Sequence, residues 1–351
     1  MTILDGFYPG LKLKLRHQYL KRGPRIVAIG GGTGLSTLLR GLKELTSNIT
    51  AIVTVTDDGG SSGRLRGELG MPPPGDIRNC LLALADKENM MEDVFNYRFS
   101  HGKELSGHNL GNLLLAGLTE MTGSFAGAIQ ELSRILAVRG QVLPVTEENV
   151  VLVGEMHDGR IIEGQTSMVR DPGRIKRVFL EPAECTPPGA AIEAILSADA
   201  IIIGPGSLYT SVIPNLLVPG ICEAIQKSQA KTHYICNIMT QPGETDNYHA
   251  SHHLKAIFDH TNAGLIQKII VNNKIISQEL RMKYQAQGAH PVLVDMQNLS
   301  KLGVEVMGYP LCAQENLARH DPFKIQVVMT KELRSHYRAI SLPNIDKNSR
   351  Q

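Results

Sequence analysis

The feature that most constrains the fold of this chain is a short apolar run that ends in glycines. Residues 25–29 (RIVAI) lead into Gly30–Gly34, and leucines at helical spacing follow. A short apolar run of this kind indicates a buried parallel strand, and the leucine spacing indicates one face of a helix. A second apolar run at residues 49–55 completes a β-α-β unit of the dinucleotide-binding kind. The helical leucines are Leu35, Leu38, Leu39, Leu42 and Leu45.

Apolar runs and amphipathic stretches continue to alternate along the chain. This alternation predicts an α/β fold built on a doubly wound, Rossmann-like parallel sheet. Residues 150–180 alternate instead as antiparallel strands do, with a hairpin turn at residues 157–159, and they predict an inserted helical and β lobe over about residues 109–180. Predicted helices cover residues 77–86, 109–121, 125–138 and 190–196, and predicted strands cover residues 142–145, 200–203, 232–236, 266–271 and 291–294.

Charge divides the chain into a basic arm and a slightly acidic body. Residues 1–25 hold six Lys and Arg against Asp5, a charge of +5, which leaves −3 for the remainder of a net charge of +2. A body of this charge is not that of a nucleic-acid binder, so no nucleic-acid partner is expected. We predict a basic N-terminal arm at residues 1–23, a single Rossmann-like domain at residues 24–330 and a C-terminal tail at residues 331–351.

Cysteine usage and apolar patterning predict a cytoplasmic protein. The five cysteines are scattered without a CxxC pair, which argues against a disulfide framework or a structural zinc site and suits a reducing compartment. No apolar run reaches membrane-spanning length, and the basic N-terminus lacks the apolar core of a signal peptide. The sequence therefore predicts no membrane span.

The first glycine-rich turn, residues 30–34, is a candidate phosphate site. Glycines after a strand let the backbone approach a phosphate, and the following helix presents free N–H groups and its positive dipole end. The turn is not a complete GxGxxG motif, because Leu35 or Thr37 stands where the third glycine would fall. A tight turn that needs glycine for packing is the alternative interpretation.

A long polar loop is predicted at residues 56–76, directly after the second strand. A loop of this length inside a compact domain is usually functional or disordered. Asp57 follows the glycine turn at about the sequence spacing at which an acidic residue hydrogen-bonds to a ribose hydroxyl in dinucleotide-binding folds. Asp57 and Asp58 could instead hold Mg²⁺ against a diphosphate, since that ion favours one or two carboxylates together with phosphate oxygens. Capping of a helix or loop by these aspartates is the alternative.

The same stretch offers candidate anion-binding groups. Arg64, Arg66 and Arg78 are candidates because a guanidinium can hold a phosphate through two hydrogen bonds. A structural ion pair is the alternative for at least one of the three. Asp76 is predicted to cap the helix that follows the loop.

A further polar segment, residues 107–112, precedes the next predicted helix. Asn109 and Asn112 stand three residues apart and can share one face at the start of that helix. His108 could act as a general base, and a structural histidine at the helix start is the alternative.

Two loops that follow later strands should reach the same edge of the sheet. Residues 204–215 form a second strand-to-glycine junction, and Asn237 follows the next strand. Ligands of open α/β sheets bind at this edge, so we predict one pocket for a nucleotide or similar phosphorylated molecule. The histidines between residues 249 and 260 lack a metal-binding frame such as HExxH. No firm metal or cofactor is therefore predicted beyond Mg²⁺ at the two aspartates.

Six motifs occur in order: IGGGTGL at 29–35, TDDGGSSG at 56–63, PPGDIRN at 73–79, GHNLGN at 107–112, GPGSLYTS at 204–211 and QPGET at 241–245. Together they resemble the bacterial gluconeogenesis factor family, which is related to the phospholactate transferases that build a deazaflavin cofactor. The resemblance spans residues 24–330. It implies a Rossmann-like core, a cytoplasmic location and a role in growth and cell shape on gluconeogenic carbon sources. It also implies binding of UDP-sugars such as UDP-N-acetylglucosamine, with no established reaction.

The resemblance also implies roles for individual residues. The glycine turn would meet the diphosphate or nucleoside, and Asp57 and Asp58 match acids at the donor and metal site of the transferases. The His252–His253 pair stands where relatives have Asp-His, and the arm at residues 1–23 lies outside the resemblance. The full predicted ligand-binding set is Gly31, Gly32, Thr33, Gly34, Asp57, Asp58, Ser61, Ser62, Arg78, Asn109, Asn112, Gly204, Gly206, Ser207, Tyr209, Asn215 and Asn237.

Two functions from different classes fit this set. A pocket without an evident nucleophile favours a non-catalytic, UDP-sugar-binding regulatory protein. The alternative is a Mg²⁺-dependent phospholactate-type transferase, in which Asp57 and Asp58 hold a nucleotide diphosphate donor while an acceptor hydroxyl attacks phosphorus; such chemistry depends mainly on positioning and charge stabilisation. A nicotinamide dehydrogenase is disfavoured by the incomplete glycine motif and the long loop. A homo-oligomer and an unidentified protein partner are both compatible with the sequence.

Overall fold

A parallel sheet forms the centre of the molecule, as the sequence predicts. The computed structural model describes residues 18–86, 88–313 and 317–333. Within these ranges the sheet has seven strands in the order β10-β9-β8-β7-β1-β2-β3, and every neighbouring pair is parallel. The strands are β1 (Ile26–Gly30), β2 (Ile49–Val53), β3 (Gln141–Pro144), β7 (Ala200–Ile203), β8 (Lys231–Ile235), β9 (Lys268–Asn272) and β10 (Glu305–Tyr309).

The strand order places a topological switch point between β1 and β7. From β1 the chain continues to β2 and β3 on one side, and from β7 it continues to β8, β9 and β10 on the other. Crossovers that depart in opposite directions leave a crevice at the carboxyl ends of the two central strands, where such folds bind ligands. The loops after β1 and β7 are the two glycine-rich segments predicted from the sequence.

Helices cover both faces of the sheet. Successive side chains of a strand point to opposite faces, so Ile26 and Ala28 join one apolar core while Val27 and Ile29 join the other. The described helices are α1 (Gly32–Leu42), α2 (Gly60–Leu69), α3 (Gly75–Leu84), α4 (Glu88–Asn96), α5 (Leu110–Thr122), α6 (Phe125–Ile135), α7 (Gln165–Arg170), α8 (Gly189–Leu196), α9 (Ile213–Leu217), α10 (Ile221–Lys227), α11 (Ala250–His260), α12 (Gln278–Gln285), α13 (Met296–Lys301) and α14 (Pro322–Glu332). The fold is therefore doubly wound and Rossmann-like.

A small antiparallel sheet interrupts the parallel pattern. In the described chain it has the order β5-β4-β6, from β4 (Val151–Met156), β5 (Ile161–Glu163) and β6 (Ile175–Glu181). Antiparallel pairing of β4 with β5 confirms the hairpin at residues 157–159. The helix α7 lies between β5 and β6, where the sequence pattern indicates no helix. The exact domain and lobe boundaries stay predictions, and residues 1–17 of the arm and 334–351 of the tail lie outside the described residues.

Two predictions about secondary structure are wrong. The predicted loop at residues 56–76 contains α2, a polar helix whose buried face is Ser61, Ser62 and Leu65. Its sequence lacks an apolar stripe, so tertiary contacts rather than periodicity stabilise it. The predicted strand at residues 291–294 forms only an isolated bridge through Pro291, and the sheet ends instead in β10, whose half-exposed sequence gives a weak apolar signal.

No single helix in the described ranges has the length and apolar character that crossing a membrane requires. A π-helical segment, Leu208–Val212, runs directly into α9. This combined segment (Leu208–Leu217) and α10 form one bent pair that meets the requirement by length and composition only.

Candidate functional site

A cleft lies at the switch point, over the carboxyl ends of β1 and β7. Its volume is about 270 Å³, and three loops line it: residues 31–34 after β1, residues 205–207 after β7 and residues 237–241 after β8. We call it the glycine cleft. It brings together seven residues of the predicted ligand set: Gly31, Gly32, Thr33, Gly34, Gly206, Ser207 and Asn237.

Close packing explains two of the glycines in the first loop. A Cβ at Gly34 would lie 2.3 Å from the carbonyl oxygen of Pro205, and a Cβ at Gly31 would lie 2.6 Å from the Thr54 methyl group. Both distances are too short for any side chain, so the packing role considered for these glycines is real. This close packing places the start of α1 against the loop after β7, and the two segments together form one wall of the cleft.

The start of α1 also presents backbone donors to the glycine cleft. The first N–H groups of a helix have no partner within the helix. The extended N-cap residue Gly31 provides no side-chain cap, and no acceptor among the described residues pairs with the N–H groups of Thr33 and Gly34. These donors and the helix dipole together favour an anion.

Hydrogen bonds join the loops after β7 and β8. The Asn237 carboxamide accepts from the Gly206 N–H (3.3 Å) and donates to the Gly206 carbonyl (2.9 Å). Gln241 Nε2 donates to Ser207 Oγ at 2.7 Å. Deeper in the fold, Thr210 Oγ1 donates to the buried Glu244 carboxylate at 2.6 Å. Burial raises the pKa of Glu244 to about 7, while its hydrogen bonds oppose that increase.

The remaining wall comes from residues that the sequence did not indicate. Tyr284 of α12, Arg319 and His320 also line the cleft. The half-buried His320 ring hydrogen-bonds to the Cys236 carbonyl (3.1 Å), and desolvation lowers its pKa to about 4, so it is neutral at pH 7. Arg319 is exposed at the rim. No glycine or polar motif surrounds these residues, so only the fold identifies them.

A second cavity, of about 310 Å³, lies beside α2 and α3. We call it the acid cleft. It contains five residues of the predicted ligand set, Asp57, Ser61, Ser62, Arg78 and Asn112, together with Asp76. The predicted single pocket is therefore two cavities at one edge of the sheet.

Arg78 is held by its neighbours in the acid cleft. It donates from Nη1 to Asn112 Oδ1 (3.0 Å) and from Nη2 to Asn79 Oδ1 (2.8 Å). Burial, assisted by nearby Arg98, lowers its pKa to about 10, against the opposing charges of Asp76 and Asp57. The other two arginines bind loops: Arg64 donates to the Ser106 carbonyl and Arg66 to Asn149 and the Val150 carbonyl.

Asp76 connects the two cavities. The prediction that it caps the following helix is wrong, because α3 begins at Gly75 with Pro74 as N-cap and no side-chain cap. Asp76 instead lies beneath the glycine loop, where its carboxylate accepts a hydrogen bond from the Gly32 backbone. Burial, and then the charge of Asp57, raise its pKa to about 6, against that hydrogen bond and Arg78.

The adjacent aspartates have different surroundings. Asp57 lines the acid cleft and accepts from the Gly59 N–H at 3.0 Å. Asp58 accepts from the backbone N–H of Thr166 (2.9 Å) and from its hydroxyl, at the start of α7. Asp58 thus joins the loop after β2 to the antiparallel sheet region. Among the described residues, no group of three or more His, Cys, Asp or Glu is arranged to hold a metal ion.

Five members of the predicted ligand set line neither cavity: Asp58, Asn109, Gly204, Tyr209 and Asn215. Asn109 caps α5 through the Asn112 N–H, and Asn215 donates to the carbonyls of Gly30 and Ser211. The Tyr209 hydroxyl bonds to that of Tyr248 at 2.7 Å. Their roles in the structure are packing and loop support, and their part in ligand binding stays a prediction.

His108 also makes a buried structural contact. Its Nδ1 lies 3.1 Å from Ser61 Oγ, and the side chain is buried. Burial, and then Arg64, lower its pKa, which keeps the ring neutral at pH 7. This contact matches the structural alternative considered for His108.

Comparison with known proteins connects this architecture to a family. The profile of the family described as 2-phospho-L-lactate transferase CofD matches residues 26–312. A gluconeogenesis factor of Halalkalibacterium halodurans is 54% identical over 301 residues, 86% of this chain and 94% of the relative. That of Bacillus subtilis is 51% identical over 312 residues, 89% and 98% of the two chains. A crystal structure of a Bacillus halodurans protein superposes with a TM-score of 0.86 at 52% identity and covers 88% of this chain and 99% of that one.

Proposed function

Since the chain belongs to the CofD family and, within it, to the gluconeogenesis factors, we propose that it binds a UDP-sugar of the UDP-N-acetylglucosamine type in the glycine cleft. In this proposal it is a non-catalytic, cytoplasmic regulator of growth and cell shape on gluconeogenic carbon sources. The observation that carries the proposal is the lining of the cleft, which contains backbone donors and an arginine but no carboxylate among the described residues.

The chemistry of this lining suits a sugar diphosphate. Thr33 and Gly34 offer N–H groups to phosphate oxygens at the start of α1, and Arg319 supplies a cation at the rim. Gln241 and Asn237 carry amides that can hydrogen-bond to a uracil or a sugar in addition to their partners Ser207 and Gly206. Binding of this kind needs no metal, because the backbone and Arg319 meet the negative charge.

A transferase is the second candidate, and the acid cleft is the observation that favours it. Mg²⁺ would fit Asp57 and Asp76 better than Asp57 and Asp58, because Asp57 and Asp76 both line this cavity and Asp58 does not. The ion would neutralise phosphate oxygens of a donor diphosphate. In that case Asp57 would bind the ion and Arg78 would orient the anionic donor.

Calorimetric titration tests the two candidates. We would titrate the full chain with UDP-N-acetylglucosamine, with and without Mg²⁺, and use GDP as the comparison ligand. The regulator hypothesis predicts UDP-sugar binding that is indifferent to Mg²⁺ and much tighter than GDP binding. Mg²⁺-dependent GDP binding with little UDP-sugar affinity would contradict it and favour the transferase.

Two variants assign the binding to a cavity. Asp57→Asn should leave UDP-sugar affinity close to that of the native chain, because Asp57 lies in the acid cleft. Ser207→Tyr should block the glycine cleft, because Ser207 lines it beside α1. The proposal fails if Asp57→Asn abolishes UDP-sugar binding while Ser207→Tyr leaves it intact.

A further inference from the structure

A third cavity lies beyond the carboxyl ends of β9 and β10, next to the glycine cleft. Its volume is about 560 Å³. We call it the β9–β10 groove. Its walls are largely apolar, and its neighbour is the cleft of the proposed function, with which it shares Ile238. The apolar wall residues are Ile238, Val271, Ile276, Val292, Val294 and Val306.

Large apolar side chains surround this groove and are exposed to solvent. Ile275, Leu293 and Met296 line it and are 82%, 59% and 55% exposed. Single exposed apolar residues are ordinary, but a group of them around one groove marks an interaction site. Side chains this exposed would gain little from a small ligand held inside the cavity, whereas a peptide segment would cover them. Methionine side chains adapt readily to such a partner.

The charge at the groove is positive. Lys274 and Arg281 line it, and neither side chain has a hydrogen bond or ion pair with another described residue. The nearby Asp295 carboxylate is already bound by Ser251 and Asn298. In the described part of the chain these two cations have no acidic partner, and they lie beside an apolar floor. They are therefore complementary to a ligand that carries both carboxylates and apolar side chains.

We propose that the β9–β10 groove docks a short segment of a partner protein, in which Asp or Glu residues stand beside large apolar ones. The apolar side chains of that segment would cover Ile275, Leu293 and Met296, and its carboxylates would pair with Lys274 and Arg281. The partner is defined here by this chemistry.

The groove is connected to the glycine cleft through shared elements. Ile238 lines both cavities, and α12 contributes Arg281 to the groove and Tyr284 to the cleft. A ligand that moves Ile238 or α12 would therefore change the affinity for the docked segment, and by linkage the segment would change the affinity for the ligand to the same degree. This coupling rests on the proposed function, whereas the docking itself does not.

Peptide selection against a charge-reversed variant tests the docking. A phage-displayed library of random dodecapeptides would be selected on the full chain, with Lys274→Glu/Arg281→Glu as the counter-selection target. We expect the selected peptides to be rich in Asp, Glu and large apolar residues. Fluorescence polarisation of a selected peptide should show a roughly tenfold or greater loss of affinity for the double variant. Lys231→Glu, at the amino end of β8 on the opposite edge of the sheet, is the matched control and should bind normally.

The outcomes separate the alternatives. Absence of enrichment over the double variant, or selected peptides without acidic residues, would overturn the proposal. Concentration-dependent dimerisation that Ile275→Asp abolishes would overturn it in favour of a second copy of the chain. Thermal unfolding of each variant checks that the fold is intact. Failure of UDP-sugar binding with peptide binding retained would reject the proposed function alone, and the reverse result would reject the docking alone.

Discussion

The glycine cleft and the acid cleft lie at the same edge of one sheet but are built in different ways. The glycine cleft is walled by main chain and neutral amides, and its described lining holds one cation and no carboxylate. In the acid cleft the charged side chains have partners: Arg78 is bound by two amide oxygens, and Asp76 by the Gly32 backbone. The first therefore offers donors to an anion, whereas the second has much of its polarity satisfied internally.

The comparison shows that residues of one polar motif can have different roles, because some line a cavity and others make tertiary contacts. The motif at residues 56–63 supplies Asp57 to one cavity and Asp58 to a tertiary contact with Thr166. Asp76 lines the acid cleft, and its carboxylate also accepts a hydrogen bond from the Gly32 backbone in the loop of the glycine cleft. The two cavities are thus mechanically connected, and variants on either side can measure how far they act separately.

The largest effect should come from a side chain added at Gly34. Gly34→Ala places a methyl group 2.3 Å from the Pro205 carbonyl, so the two loops must separate. We expect about 1–3 kcal/mol of destabilisation in urea unfolding and a loss of UDP-sugar binding by calorimetry. Gly67→Ala in α2 is the control, because no heavy atom lies within 4 Å of its added methyl group; it should stabilise by roughly 0.5–1 kcal/mol. Equal effects of the two changes would mean that the close approach of Gly34 to Pro205 does not constrain the glycine cleft.

The next largest effect should be a difference in stability between alanine variants of the two adjacent aspartates. Asp58→Ala removes the acceptor for the Thr166 N–H and hydroxyl, so we expect about 1–3 kcal/mol of destabilisation in urea unfolding. Asp57→Ala loses only the contact with the Gly59 N–H and should cost less, about 0.5–1.5 kcal/mol. A larger loss of stability from Asp57→Ala than from Asp58→Ala would contradict these assignments.

The pH dependence of the unfolding free energy should reveal the titration of Asp76. Its pKa rises from 3.8 to about 6 on folding, so between these values the folded state binds more protons than the unfolded state. Stability from this group is therefore greatest below pH 3.8 and decreases as the pH rises towards 6. Asp76→Asn should remove this contribution and flatten the plot of unfolding free energy against pH over that window. Glu244→Gln is the comparison. Because the pKa of Glu244 is raised to about 7, its contribution to the unfolding free energy keeps decreasing up to a higher pH than that of Asp76. Identical slopes for native and Asp76→Asn chains would show that Asp76 does not titrate as described.

The smallest effect should come from the exposed rim. Arg319→Ala should weaken UDP-sugar binding by roughly two- to tenfold without changing the unfolding free energy, because an exposed cation contributes little to stability. The loss should diminish at high salt, since screening weakens exposed charge pairs. Arg98→Ala in the acid cleft is the matched control and should leave the affinity unchanged. An equal loss from both variants would mean that the ligand spans both clefts.

Most of the fold could be predicted because its signals are local. The apolar runs of β1, β2, β7, β8 and β9 are buried and short, and the helices α1, α5 and α6 carry regular apolar faces. The polar helix α2 could not be predicted, since its residues fold against neighbours that lie far away in the chain. The edge strand β10 is half exposed, and its apolar pattern is too weak to identify it.

The candidate site was predictable only in part, for the same reason. Glycine turns after strands identify the loops at residues 31–34 and 205–207 from the sequence alone. The separation into two cavities, and the contact of Asp76 with the glycine loop, depend on how α3 packs beneath α1. Tyr284, Arg319 and His320 come from segments with no motif of their own.

The sequence by itself determined the parallel sheet, its glycine-rich edge and the family resemblance, because apolar periodicity and glycine after a strand act over a few neighbouring residues. The tertiary structure alone decided which polar groups face a cavity and which bind other parts of the chain. That choice depends on contacts between distant segments, as between Asp58 and Thr166 or between Gly34 and Pro205. Such contacts form only when the whole sheet is assembled, so no local pattern encodes them.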